Sequence, residues 1–240
     1  MKLFNLKAGS VPGADHLFRQ ANCQDRYRCA TFEHNGQWYQ AGMVCDGCGS
    51  LDGSEVGAAL LAEFAIAEIV RLVREGLSFE ELAPRLYRNS VAFLSKLAGL
   101  VAGERVDNEF VVRFLLATSL GFVVNAEETL VFAAGDGFII INDEIECRDE
   151  ANRPRYLAYD LLDPDQYMDL PPRRDNFECR LLPTREVERL AVWTDGFDPA
   201  LKEEIWNLAG PRGLQRKLNV WSKRKLFADD TTGITLERAG

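Results

Sequence analysis

Between residues 113 and 142 the chain carries three apolar runs, F-L-L-A-T-S-L-G-F-V-V, T-L-V-F-A-A and F-I-I-I, that barely alternate with polar residues. A strand with one wet face alternates, whereas a nearly continuous apolar run is covered on both faces. A chain that contains such strands must therefore lay structure on either side of a sheet. The breaks between the runs, Asn125-Ala126-Glu127-Glu128 and Gly135-Asp136-Gly137, suit hairpin connections and predict an antiparallel meander. An earlier stretch, residues 28 to 45, reads as a hairpin of its own. Asn35-Gly36 offers the two positive-φ positions of a type I′ turn between segments rich in Phe, Trp and Tyr.

The covering layers are expected from helices. One should begin near Ser54, whose hydroxyl is a candidate cap, and end near Gly76. At about 100° per residue, Glu63, Glu68, Arg71, Arg74 and Glu75 fall on one arc and Ile66, Ile69, Val70, Leu72 and Val73 on the other side. Leu60 and Phe64 break the pattern, which predicts cover on both faces of the N-terminal half. Ser78-Phe79-Glu80-Glu81 fits a capping box for a second helical region reaching about Leu100, with Pro84 expected to disturb its first turns. Residues 142 to 189 mix charges and prolines without periodicity and read as a surface excursion or lid. A short strand L-A-V-W-T, helical segments around 199 to 208 and 211 to 225, and a final strand from Gly233 to Glu237 complete the expectation. No repeat or linker divides the 240 residues, so a single domain is expected.

Composition narrows the function classes. Apolar residues at 47% and charged residues at 27% argue against disordered, collagen-like and coiled-coil chains. A formal charge of −9 argues against a nucleic-acid binder that works through a broad positive face. The longest apolar segment, residues 56 to 70, is interrupted by Glu63 and Glu68 and is shorter than the ~20 residues of a membrane span. The apolar stretch before Lys7 is too short for a signal peptide. A soluble cytoplasmic protein without membrane or nucleic-acid partners is the expectation. Its six cysteines read as reduced thiols, and Cys45-Asp46-Gly47-Cys48 lacks the second C-x-x-C that a zinc site would use. With only two histidines, His16 and His34, hydrolytic chemistry must rest on carboxylates.

Those carboxylates recur in one context. Val44-Cys45-Asp46-Gly47, Ala134-Gly135-Asp136-Gly137, Trp193-Thr194-Asp195-Gly196 and Phe227-Ala228-Asp229-Asp230 each set an aspartate at the end of a predicted element, and Asp25 stands where the first hairpin begins. Asp-Gly by itself is turn chemistry. If the strands share packed sheets, however, their ends bring these acids into one pocket that needs cations, and oxygen ligands of this kind select Mg²⁺ and Mn²⁺.

The ordered set Asn22-Cys23-Gln24-Asp25, Val44 to Gly49, Ala117-Thr118-Ser119, Gly135 to Phe138, Thr194-Asp195-Gly196 and Asp229-Asp230-Thr231-Thr232 resembles the metal-dependent, type 2C serine/threonine protein phosphatases, in their compact bacterial form. The resemblance implies an α+β fold, a four-layer α-β-β-α sandwich of two antiparallel sheets flanked by helix pairs, with a variable flap at about 142 to 189. It implies a centre of two Mn²⁺ or Mg²⁺ ions. Asp46 would bridge both, the Gly47 carbonyl would bind one, Asp195 and Asp229 would hold the other, and Asp136 would touch a third, weaker ion. Asp25 would support the metal-water network, while Arg19 and His16 are the candidates for binding phosphate. The implied activity is hydrolysis of phosphomonoesters on a phosphorylated protein. Gln24 and Cys48 stand where many members have Glu and His, which leaves a catalytically weak or inactive pseudophosphatase, binding phosphoproteins, as the alternative.

Overall fold

The computed structural model describes residues 3–49, 52–102, 108–150, 154–163 and 174–239. In chain order it contains β1 (Phe4–Val11), α1 (Ala14–Arg19), β2 (Asp25–His34), β3 (Gln37–Asp46), α2 (Ser54–Arg74), α3 (Phe79–Ala102) and α4 (Asn108–Phe114). These are followed by β4 (Ser119–Val124), β5 (Glu128–Ala134), β6 (Gly137–Ile141), β7 (Glu144–Arg148), β8 (Glu178–Pro183), β9 (Arg189–Trp193), α5 (Gly213–Lys223) and β10 (Thr231–Arg238). The strands form two antiparallel five-stranded sheets, β1-β10-β9-β6-β7 and β2-β3-β4-β5-β8. This is the expected α+β sandwich.

Period-two alternation, hidden in sequence by full burial, sorts each strand between two cores. Val44, Leu120, Phe122, Val131, Ile139, Leu190, Val192 and Ile234 fill the space between the sheets. Met43, Cys45, Leu130 and Phe132 face the other way, against α2 and α3. Phe138, Ile140, Ala191 and Trp193 face outward from the other sheet, against Leu214, Leu218 and Trp221 of α5 and Ile205 of a 3-10 helix at Pro199–Ile205. That side is thus covered by one α-helix and a 3-10 segment, whereas α2 and α3 form a pair of long helices. Phe64 stacks on Phe93 of α3 with ring centroids 4.3 Å apart, which explains one break in the amphipathic pattern of α2; Leu60 remains 36% exposed.

Several expectations change on contact with the structure. Ser54 opens α2 without a side-chain cap, the N-cap being Gly53. The capping box does form, with Ser78 N–H donating to Glu81 and Glu81 N–H donating to Ser78 Oγ. Pro84 leaves α3 unbroken, since the carbonyl it cannot satisfy belongs to exposed Glu80 in the first turn. β1, α1 and α4 went unrecognised, and the strand expected from Arg113 begins only at Ser119. The meander is also interrupted. β4 and β5 pair, but Gly135-Asp136-Gly137 carries the chain from one sheet to the other, where β6 pairs with β7 and β9. Gly135 (φ 93°) and Gly137 (φ 139°) supply a corner that L-residues rarely adopt. Residues 142 to 189 include the edge strands β7 and β8 and so are not wholly an excursion; residues 151–153 and 164–173 of that stretch lie outside the described residues.

The end of β9 is locked in place by its neighbour. Gly233 of β10 lies opposite Trp193, and a Cβ there would meet the buried indole at 2.2 Å. Gly233→Ala should therefore destabilise the protein by about 1–3 kcal/mol through overpacking. Denaturant unfolding would measure it, and an unchanged midpoint would mean that the ring has room to move.

Candidate metal centre

Two strand ends from each sheet meet at one end of the sandwich. Asp25 opens β2 and Asp46 closes β3, and the two are directly opposed across the ladder. On the other sheet, Asp195 follows β9 by two residues, while Asp229 and Asp230 immediately precede β10, its neighbour. A bond between sheets joins the halves: Thr194 Oγ1 donates to Asp25 Oδ2 at 2.6 Å, while Thr232 N–H donates to Thr194 Oγ1 at 2.9 Å. Thr118 holds Asp46 reciprocally, its N–H donating to the Asp46 carbonyl (2.8 Å) and its Oγ1 accepting from the Asp46 N–H (3.1 Å). Asp136 enters from the corner between β5 and β6, and its Oδ1 accepts from Glu150 N–H at 2.8 Å.

These groups surround a cavity of about 220 Å³ lined by His16, Gln24, Asp46, Gly47, Cys48, Gly49, Thr118, Asp136, Pro154, Tyr156, Asp195, Asp229 and Asp230, with Asp25 buried at 1% exposure beside Asp46. Among the described residues no lysine or arginine lines it. Five sequence-predicted residues, Asp46, Gly47, Asp136, Asp195 and Asp229, therefore share one wall with His16. Arg19 does not. It lies exposed in an adjoining cleft of about 520 Å³ with Gln20, Asn22, Asp52 and Glu55, and only Gln24 is common to both spaces.

Electrostatics shows what this wall lacks. Burial pushes Asp25 up to about 7, with Thr194 holding it down and Asp230 adding to the rise. Asp46 is held well above the ordinary carboxylate range by burial and then by Asp25 and Asp195. Burial also raises Asp195, assisted by Asp229, and raises Asp136 against the Glu150 N–H. Asp25 Oδ1 is fully enclosed, and no N–H or hydroxyl of the described residues donates to it. Carboxylates this close accept either a shared proton or a cation, and an oxygen-rich donor set fits a hard divalent ion such as Mg²⁺ or Mn²⁺.

Sequence reasoning overlooked three contributors. Asp230, quoted within its motif but given no role, is 3% exposed and accepts from Gly13 N–H (2.8 Å) and Gln24 N–H (2.5 Å), tying α1 to the site. Thr194 bridges the sheets. Tyr156 forms part of the wall from the stretch read as a lid, and no local pattern announced it. None of the six cysteines forms a disulfide; Cys45 is buried against α2, and Cys48 stands in the cavity wall.

With this geometry in view, comparison with known proteins is informative. Residues 12–221 match the family described as Protein phosphatase 2C, so the chain belongs to that family of protein phosphatases. No curated protein matches it in sequence. Among solved structures, a bacterial serine phosphatase superposes with a TM-score of 0.64 at 15% identity, covering 99% of this chain and 98% of that one. A serine/threonine phosphatase from Staphylococcus aureus gives 0.61 at 15%, covering 100% and 96%. RsbX, solved in complex with magnesium, gives 0.52 at 13%, covering 100% and 97%. Among the described residues no helix is long and apolar enough to cross a membrane.

The raised carboxyls predict a pH signature in chelator-treated protein. A carboxyl whose folded pKa lies above its unfolded value near 3.8 favours the folded state most when protonated, so stability is lost as pH rises through about 7. The melting midpoint of the wild type should fall between about pH 5 and pH 8 by more than that of Asp25→Asn, which removes the titrating group. Parallel profiles would show that Asp25 is not the group responsible.

Proposed function

We propose that the chain is a metal-dependent phosphomonoester hydrolase acting on phosphorylated serine or threonine residues of proteins, and that its 240 residues form one domain of this kind. The observation that carries the reading is the convergence of Asp25, Asp46, Asp136, Asp195, Asp229 and Asp230, from five separate strand ends and turns, around one cavity that no lysine or arginine of the described residues lines. Membership of the Protein phosphatase 2C family supports it. In this reading Asp46 and the Gly47 carbonyl, Asp195 and Asp229 hold two Mn²⁺ or Mg²⁺ ions, with Asp136 serving a third, weaker one. Bound divalent ions supply charge neutralisation at the phosphoryl oxygens and an acidified water for in-line attack.

The protein's own groups do the rest. Asp46 lies between the two halves of the site, opposite Asp25 on one sheet and within electrostatic reach of Asp195 on the other, which suits a bridging carboxylate. Asp25, enclosed and hydrogen-bonded by Thr194, stands opposite Asp46 and helps to orient it. Thr118 fixes the backbone at Asp46, immediately before Gly47, which lines the cavity. Arg19 is assigned to the adjoining cleft, where it meets the approaching phosphoprotein rather than the reacting centre. Tyr156 and Pro154 form the part of the cavity wall that comes from the variable stretch.

Phosphate release from p-nitrophenyl phosphate and from a phosphothreonine peptide, with Mn²⁺, Mg²⁺ or EDTA, tests the assignment. Release should require metal and fall roughly a hundredfold or more in Asp46→Asn and in Asp195→Asn, both remaining folded. A folded, metal-loaded protein that binds the phosphopeptide and releases nothing would overturn hydrolysis in favour of a binding module, with Gln24 and Cys48 as the positions to revert.

A further inference from the structure

His16 sits on the inner side of α1, 5% exposed, facing the acid cavity beside a pair of aspartates that the two-ion reading uses only in part. We propose that His16, Asp229 and Asp230 form a cation site with a nitrogen ligand, one that takes a transition-metal ion such as Mn²⁺ in preference to Mg²⁺. The site shares Asp229 with the reading above and rests on it to that extent.

One ligand atom from each of the three residues lies within 4.8 Å of the others. With bonds of about 2.1 Å, donors on one ion stand about 3 Å apart when adjacent and about 4.2 Å when opposite, so side-chain adjustments of about an ångström close the site. The ring nitrogen provides an independent sign. His16 Nδ1 lies 2.7 Å from Asp230 Oδ2 but off the line of a hydrogen bond, and it is buried with no other partner. At that separation the pair calls for a positive charge, either a proton on the ring, which makes it an ion pair, or a cation held by both atoms.

The three residues are held in place before any ion arrives. Ala14 N–H and Asp15 N–H donate to the carbonyls of Phe227 (3.0 Å) and Ala228 (3.2 Å), which ties α1 to the segment leading into Asp229. Gly13 and Gln24 each give one backbone N–H to Asp230, leaving each of its oxygens a second lone pair. Asp229 is exposed, so the site keeps an open side for water or a phosphate oxygen. Carboxylate oxygens suit Mg²⁺ and Mn²⁺ alike, whereas an imidazole nitrogen favours first-row transition ions, least strongly Mn²⁺, over Mg²⁺, so this nitrogen introduces a metal preference that the aspartates alone do not provide.

The chain's two histidines make the test direct. Pulsed EPR of the full chain loaded with Mn²⁺ should show imidazole ¹⁴N coupling. His16→Gln should abolish that coupling and weaken Mn²⁺ binding in calorimetry by about tenfold or more, with Mg²⁺ binding changed less. His34→Gln, at the β2–β3 turn beside Asn35, should leave the coupling intact. Mn²⁺ bound without nitrogen coupling in the wild type, or coupling that survives His16→Gln, would overturn the site. It would mean that the ring shares a proton with Asp230 instead, and metal-dependent phosphate release would still stand. The wild-type spectrum decides even if a variant folds poorly.

Discussion

Like charge gathered at the end of a β-sandwich is the condition around which this molecule is organised. Asp25 and Asp46 are opposed on one sheet, Asp195, Asp229 and Asp230 come from neighbouring strands of the other, and Thr194 links the halves through Asp25. Burying carboxylates without basic partners is costly, and the raised proton affinities of Asp25, Asp46 and Asp195 express that cost. In the proposed reading a divalent ion relieves that cost.

What allows that burial is the rigidity of the layers behind it. Each central strand is covered on both faces, so a strand end cannot swing away without opening one of two cores. Trp193 shows the coupling most directly: its indole is buried under α5 and the 3-10 helix and pressed against Gly233, and two residues later the chain presents Asp195 to the cavity. On the other sheet, Cys45 is fixed under α2 and the next residue is Asp46. Packing and chemistry are therefore adjacent in sequence at both ends of the site. The N-terminal segment joins them through Asp230, which collects backbone donors from Gly13 and Gln24 and sets His16 against the cavity.

Much of the fold was legible because its signals are local. Asn35 and Gly36 take the positive φ values expected of a two-residue turn, and the hairpin they close runs the full length of both strands. The capping box at Ser78 formed as read. β1 was missed although Phe4, Leu6 and Ala8 alternate with polar residues, because the alternating stretch is short and its pairing partner, β10, lies more than two hundred residues away. α1 and α4 are too short for periodicity to reveal. β7 and β8 are edge strands rich in charge, and their exposed faces obscured the pattern. Gly135-Asp136-Gly137 illustrates the limit of turn chemistry, since the residues that would make a hairpin serve equally to carry a strand into the opposite sheet.

By itself, the sequence determined which groups were available and where each one stood relative to its own strand: aspartates at element ends, glycines beside them, almost no histidine. That information is local, and so are the forces that act on it, turn preferences and hydrophobic periodicity. Which of the acids meet was decided by the tertiary structure. Sheet pairing brought Asp25 to Asp46, the packing of two sheets brought both to Asp195 and Asp229, and the docking of α1 placed His16 inside while leaving Arg19 in the next cleft. These are contacts between residues tens to hundreds of positions apart, and they are fixed by burial of the cores rather than by any preference of the acids themselves.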